Sequence, residues 1–217
     1  MKRIIFITEN VNKFKEIVSY LEVNEELYGG KIAVDMYKPN YELHEIQSLN
    51  RTEIVMQKLN DALITQSTIS STLSNDIETW LMVEDTSLSI VKQGGFPGPF
   101  IKYYLQSLPI TAIANNNWGS ESQSYVNLAI GQVTQHVCWN NNLDNEIATN
   151  TFTVTKSFEG TINGFICEPR GTNGFGFDPI FLPTGSQKTN AEMNMEEKAM
   201  FNPRTQAFQM VLDYLFL

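Results

Sequence analysis

The chain opens on an apolar run, Ile4-Ile5-Phe6-Ile7, set between Lys2-Arg3 and Thr8. A run so short and so apolar reads as a buried strand over 2–8. Behind it, Phe14, Ile17, Val18 and Leu21 recur at helical spacing and predict a helix from about Asn12 to Leu27. KIAVDMY (31–37) predicts a second strand, and Ile54, Leu59 and Leu63 a second, more loosely patterned helix over 51–64. WLMVEDTSLSI (80–90) reads as a strand that ends in acids. YVNLAIGQV (125–133) and TFTVTKSFEG (151–160) alternate with period two, as half-buried strands do. Phe208, Val211, Leu212 and Leu215 share one side of a helix predicted from Arg204 to Leu217. Two stretches break the pattern. QSTISSTLSNDIET (66–79) is rich in Ser and Thr, NNNLDNEIATN (140–150) in Asn, and both read as mobile surface loops. Early strand–helix units followed by antiparallel-looking strands predict an α/β fold with a mixed sheet, in one domain without internal repeats.

Composition narrows the partners. The 217 residues are 42% hydrophobic and 18% charged, enough to bury a substantial core. A net charge of −9 gives no general attraction for nucleic acid or an anionic membrane. Any phosphate must therefore meet a local cluster of lysines and backbone N–H groups. Cys138 and Cys167 match neither a metal-ligand spacing nor a disulfide framework. They read as small buried residues of a reduced, cytoplasmic protein. The N-terminal stretch has too few apolar residues for a signal segment, and no apolar run is long enough to span a bilayer.

Several familiar sites are excluded. There is no GxxxxGK[ST], and Gly171, Gly174 and Gly176 are wrongly spaced for a dinucleotide turn. His44 and His136 are the only histidines, too few to supply a zinc site or a His-based triad well. Four stretches remain. TENVNK (8–13) lies where a strand turns into a helix, and a helix N-terminus suits phosphate. Its ordinary reading is an N-cap with a surface lysine. VEDTSL (83–88) places two acids side by side, a donor type that suits Mg²⁺; they also read as solvated strand-end groups. In GGFPGPFIKYYL (94–105), Pro99 fits the first position of a helix and Lys102 its first turn, where a cation opposes the dipole unless an anion is bound. GTNGFGFDPIF (171–181), with EEKAMFNPR (196–204), combines aromatic faces for a flat heterocycle with Asp178 and Arg204 for its edge. A satellite aromatic core under a loop is the plain alternative.

Together these stretches resemble the inosine triphosphate pyrophosphatase, or HAM1-like, family. Thr8-Glu9-Asn10-Val11-Asn12-Lys13 is similar to the family's T-G-N-x-x-K, and Leu43-His44-Glu45-Ile46-Gln47 to its L-P-E-x-Q. Val83 to Thr86 is its V-E-D-[TS], and Gly94 to Lys102 its G-G-x-P-G-P-[YF]-[IS]-K. Phe175 to Pro179 is similar to F-G-[YW]-D-P, and Ala191-Glu192-Met193 with Glu197-Lys198 to A-E-M-x-x-x-E-K. The six follow in order over nearly the whole chain. The resemblance implies an elongated, two-lobed ITPase-like fold with a long mixed sheet and a central active-site cleft, commonly as a homodimer. It implies hydrolysis of ITP, dITP or XTP to the monophosphate and diphosphate, cleansing the nucleotide pool. Thr8, Asn10, Lys13, Lys58, Lys102 and Thr86 would hold the phosphates. Glu45 and Asp85, with Glu84 nearby, would bind Mg²⁺ or Mn²⁺, and Asp85 would orient or deprotonate the attacking water. Phe175, Gly176, Phe177, Asp178, Lys198 and Arg204 would form the base pocket. Two positions depart from the pattern. Glu9 stands where the family has glycine, and Asn202-Pro203-Arg204 where it has Ser-His-Arg. They motivate a second reading, a nucleotide-binding relative without turnover that acts as a sensor or interaction module.

Overall fold

A computed structural model describes residues 1–39, 43–65, 77–140 and 145–217. Strand β1 (Lys2–Ile7) leads into α1 (Val11–Val23), the short α2 (Glu25–Tyr28) and β2 (Ile32–Tyr37). Helix α3 (Arg51–Thr65) precedes β3 (Glu78–Ile90), β4 (Pro97–Gly98), α4 (Ile101–Ser107) and α5 (Ile110–Asn117). A long hairpin of β5 (Glu121–Asn140) and β6 (Asn145–Ile166) follows, then β7 (Phe181–Pro183), α6 (Met195–Met200) and α7 (Pro203–Phe216).

Among the described residues the strands form one mixed sheet in the order β2-β1-β3-β5-β6-β7, with β4 beside the far end of β3. β1 pairs parallel with β2 and β3, because helical crossovers connect them. The β3–β5, β5–β6 and β6–β7 pairings are antiparallel. The mixed α/β sheet expected from the pattern is therefore present.

β3 organises the core. Its even-numbered Trp80 and Met82 pack with Phe208, Val211 and Leu212 of α7 and Ile17 of α1. Its odd-numbered Leu81 and Val83 pack on the opposite face with Val55, Leu59 and Ala62 of α3. Farther along, Leu88 and Ile90 enter a third cluster with Ile101, Ile113, Phe177 and Phe181. Glu84 and Asp85 fall between these clusters, where the apolar packing of one lobe stops and that of the other begins. They are thus mid-strand and buried, not strand-end solvent groups as the sequence pattern suggests.

The N-terminus of α7 reaches this junction because β6 has Gly160 there. A Cβ on Gly160 would lie 1.9 Å from the Pro203 carbonyl oxygen, so any side chain would push the helix away.

Other boundaries differ from the pattern. Asn24 divides the predicted first helix into α1 and α2. Residues 145–150 belong to β6 rather than to a loop, because their backbone pairs with β5. Of the stretch 66–79, residues 66–76 lie outside the described residues, and β3 starts at Glu78. Pro99 precedes α4 rather than starting it; Phe100 is the N-cap. Cys167 is half-buried, not buried. Among the described residues no helix is long and apolar enough to cross a membrane.

Candidate active site

A cavity of about 280 Å³ opens beside the middle of β3. It is lined by Asn10, Lys13, Glu45, Lys58, Asp85 and Lys102 together with Phe175, Asp178, Lys198, Pro203 and Arg204. Gly176, Phe177 and Thr86 also reach it, while Thr8 and Glu84 face an adjoining recess. Apart from Thr8, the residues named from the sequence for phosphate and for base line one space.

The β1–α1 turn is held by its own side chains. The Thr8 hydroxyl oxygen accepts from the Asn10 N–H at 3.1 Å. Asn10 Oδ1 accepts from the Asn12 and Lys13 N–H groups at 3.0 and 3.3 Å, capping α1. Glu9 is exposed. Helix α3 buries Val55, Leu59 and Ala62, which leaves Lys58 aimed into the junction. Its Nζ donates to Glu45 Oε1 at 2.7 Å and to the Glu84 carbonyl at 3.1 Å.

The two acids of β3 point to opposite faces and have opposite fates. Burial pushes Asp85 up to about 6; Lys58 and Lys13 oppose the rise, and Glu45 and Glu84 add to it. Burial also pushes Glu84 up, but Arg204 and Lys13 outweigh it and hold the carboxyl far below the usual range. Arg204 donates to both Glu84 oxygens, Nε to Oε2 at 2.6 Å and Nη2 to Oε1 at 2.7 Å. Lys13 Nζ lies 3.0 Å from Glu84 Oε1, which also accepts from the Thr86 hydroxyl at 2.9 Å.

A third acid, Glu16 of α1, completes this buried network. It accepts from Lys198 at 2.6 Å, from Asn202 at 2.6 Å and from Arg204 Nη1. Burial raises its pKa, yet Arg204 and Lys198 more than offset that and keep it lowered. Glu16 belongs to none of the motifs legible in the sequence. Its signal is an acid directly before Ile17 on the buried side of α1, and it becomes legible only once α6 and α7 are placed against that helix.

The aromatic residues have different surroundings. The Phe175 ring is half-buried, with Lys198 Nζ 5.0 Å and the Arg204 guanidinium carbon 5.7 Å from its centroid. Phe177, expected as a second base-facing ring, reaches the cavity and also packs edge-on against Phe181 at 6.0 Å inside the third cluster. Asp178 Oδ2 accepts from the Phe175 N–H and from Lys198, both at 2.8 Å, so its charge shapes the turn. Gly174, at φ +88°, permits this, since a Cβ there would lie 2.3 Å from that same oxygen. Phe177→Ala is therefore expected to destabilise the fold by about 3–5 kcal/mol. Phe175→Ala is expected to leave the denaturation midpoint nearly unchanged and to raise KM. Denaturant titrations of both variants check the contrast.

For a divalent ion the donor set reduces to two carboxylates. Among the described residues no group of three or more His, Cys, Asp or Glu is placed to hold a metal. Glu84, expected near the metal, has both oxygens taken by Arg204, Lys13 and Thr86. Asp85 and Glu45 remain, and their mutual repulsion is of the kind a cation relieves. Two carboxylates fit Mg²⁺, which keeps several waters and binds substrate phosphates as well.

Residues 4–214 match the family model described as the Ham1 family. A dITP/XTP pyrophosphatase of Pyrococcus horikoshii is 29% identical over 215 residues, covering 98% of this chain and 96% of that protein. An inosine triphosphate pyrophosphatase of Candida albicans is 30% identical over 221 residues, covering 99% and 98%. The solved structure of a HAM1 protein from Coxiella burnetii has the same fold, with a TM-score of 0.67 at 21% identity over 99% of this chain and 98% of that one.

Proposed function

Because the chain belongs to the Ham1 family, we propose that it hydrolyses the α–β phosphoanhydride of non-standard purine nucleoside triphosphates such as ITP, dITP and XTP. Water and the triphosphate give the monophosphate and diphosphate. The observation that carries this reading is the single cavity joining Asp85 and three lysines to the Phe175 ring. Lys13, Lys58 and Lys102 meet the triphosphate, and their positive charge stabilises the leaving diphosphate. They reconcile a polyanionic substrate with a chain of net charge −9.

Glu45 and Asp85 hold a divalent cation, Mg²⁺ or Mn²⁺. Bound there, it supplies phosphate neutralisation and a more acidic water. Asp85, buried and lining this cavity, orients the water or takes its proton. Phe175 stacks on the base. Arg204 has five N–H donors, of which three serve Glu84 and Glu16, leaving two for a 6-oxo group. The reading extends to a homodimer in the cytoplasm, which sedimentation and fractionation test.

The deciding experiment is a diphosphate-release screen over ITP, dITP, XTP, ATP and GTP with Mg²⁺. Release from the 6-oxo purines well above ATP is expected; saturable ITP binding with no diphosphate would overturn the assignment in favour of a silent binder. In the same assay, Lys102→Ala is expected to lower kcat/KM by about 10–100-fold, the size of a lost hydrogen bond to a charged group. That loss is to be equal for every base, since Lys102 meets the triphosphate. Dependence on the base would contradict its placement.

A further inference from the structure

One polar group lining the cavity has no partner among the described residues. Asn190 is 3% exposed, lines the cavity, and its buried Oδ1 accepts no hydrogen bond. Among the described residues, no other side chain lining this cavity combines a buried polar atom with the lack of a partner. Folding removes such an oxygen from water, and the fold is destabilised when nothing replaces the lost bond. A bound molecule that brings a donor replaces it.

The backbone shows which segment Asn190 lies beside. Its N–H donates to the Phe181 carbonyl at 3.2 Å, and the next residue, Ala191, donates to the Asp178 carbonyl at 3.3 Å. Asn190 is therefore strapped alongside the 175–181 segment. Of the other residues lining the cavity, Arg204 keeps two N–H donors but has no acceptor to offer. Lys198 is bonded to Glu16 and Asp178, Asn202 to Glu16 and the Arg204 N–H, and Pro203 has neither an N–H nor a polar side chain.

The geometry points to Asn190 as a specificity-determining residue whose carboxamide hydrogen-bonds the edge of the purine. A carboxamide carries an acceptor and a donor side by side. The N1–H and O6 of a 6-oxo purine are the complementary pair, so oxygen accepts from N1–H while the amide nitrogen donates to O6. Adenine has no N1–H, so it satisfies the buried oxygen only through its amino group and only if the amide is repositioned. This inference rests on the proposed hydrolysis of 6-oxo purine triphosphates.

The test is Asn190→Leu, which keeps the volume and removes both polar atoms. Wild-type and variant proteins are compared for melting temperature without ligand, and for kcat/KM with ITP, dITP and ATP. The ligand-free variant is expected to melt at or above the wild-type temperature, because an unpartnered buried polar group is replaced by an apolar one. Its kcat/KM for ITP and dITP is expected to fall about tenfold, and for ATP by twofold or less. An ITP-to-ATP ratio within twofold of wild type overturns the inference while leaving wild-type hydrolysis of ITP intact. A loss with ITP that disappears with dITP assigns Asn190 to the ribose hydroxyl and equally overturns base reading. If wild-type protein itself releases no diphosphate, the failure belongs to the proposed reaction, and the ITP-induced rise in melting temperature still tests Asn190.

Discussion

Asp85→Asn is expected to lower turnover by about 100-fold or more and, in the same protein, to raise its stability above pH 6. The first effect follows from removing the carboxylate that faces both the cation and the water. The second follows from where the sheet places it. Asp85 is 8% exposed in mid-strand, beside two further carboxylates, and its pKa is raised from 3.8 to about 6. A raised folded-state value means that the folded chain holds the proton more tightly than the unfolded chain. The neutral acid is accommodated without penalty below pH 3.8, and that advantage is lost as pH rises through about 6. Above that pH the ionised group costs the fold about 3 kcal/mol, at about 1.4 kcal/mol per pH unit of displacement. Asparagine has nearly the same shape and never ionises. Metal-free melts of both proteins from pH 4 to 8 are expected to start close together and diverge, the variant becoming the more stable. Curves that stay parallel would mean that Asp85 is not strained in the folded chain. Turnover near the wild-type rate would remove it from the chemistry.

Glu84→Gln is expected to do the opposite, destabilising the chain by about 3–5 kcal/mol across neutral pH. Both Glu84 oxygens accept from Arg204 in a place with almost no access to water. An amide keeps the size but supplies only one acceptor and no charge, so the buried guanidinium loses half of its compensation. The pH dependence has its own sign. Glu84 has a folded pKa held well below its ordinary 4.5, so its contribution is present above 4.5 and is lost as pH falls toward the folded value. The gap between wild type and variant is therefore expected to persist through neutral pH and to close only in acid. Replacing the pair together, as Glu84→Leu with Arg204→Met, is expected to recover much of the stability, because no uncompensated charge remains. Denaturant midpoints at pH 7 decide the matter; a single variant as stable as wild type would show that the network contributes specificity only.

The two adjacent acids divide what sequence could and could not tell. The β-strand period of two is local, so opposite faces for Glu84 and Asp85 were legible from VEDTSL alone. So were β1, a capped turn into α1, the helix carrying Lys58 and the C-terminal helix, because each rests on side-chain spacing or on a cap within a few residues. The six motifs in order carry the resemblance to the family without any tertiary information. Which acid is strained and which is neutralised was not legible. That depends on Arg204, 120 residues from Glu84 in sequence, and on Glu16, 188 residues from Arg204. The extent of β5 and β6 escaped for a related reason: a strand at 145–150 is created by its partner across the hairpin, not by its own polar composition. Phe175 and Phe177 stand two residues apart in one glycine-rich loop and both line the cavity, and only the third apolar cluster decides that Phe177 is core as well. Local spacing sets faces, caps and turns because these act over a few residues of chain. Charge state, burial and the pairing of ions are set by whatever folding brings within a few ångströms, and no window of sequence contains that.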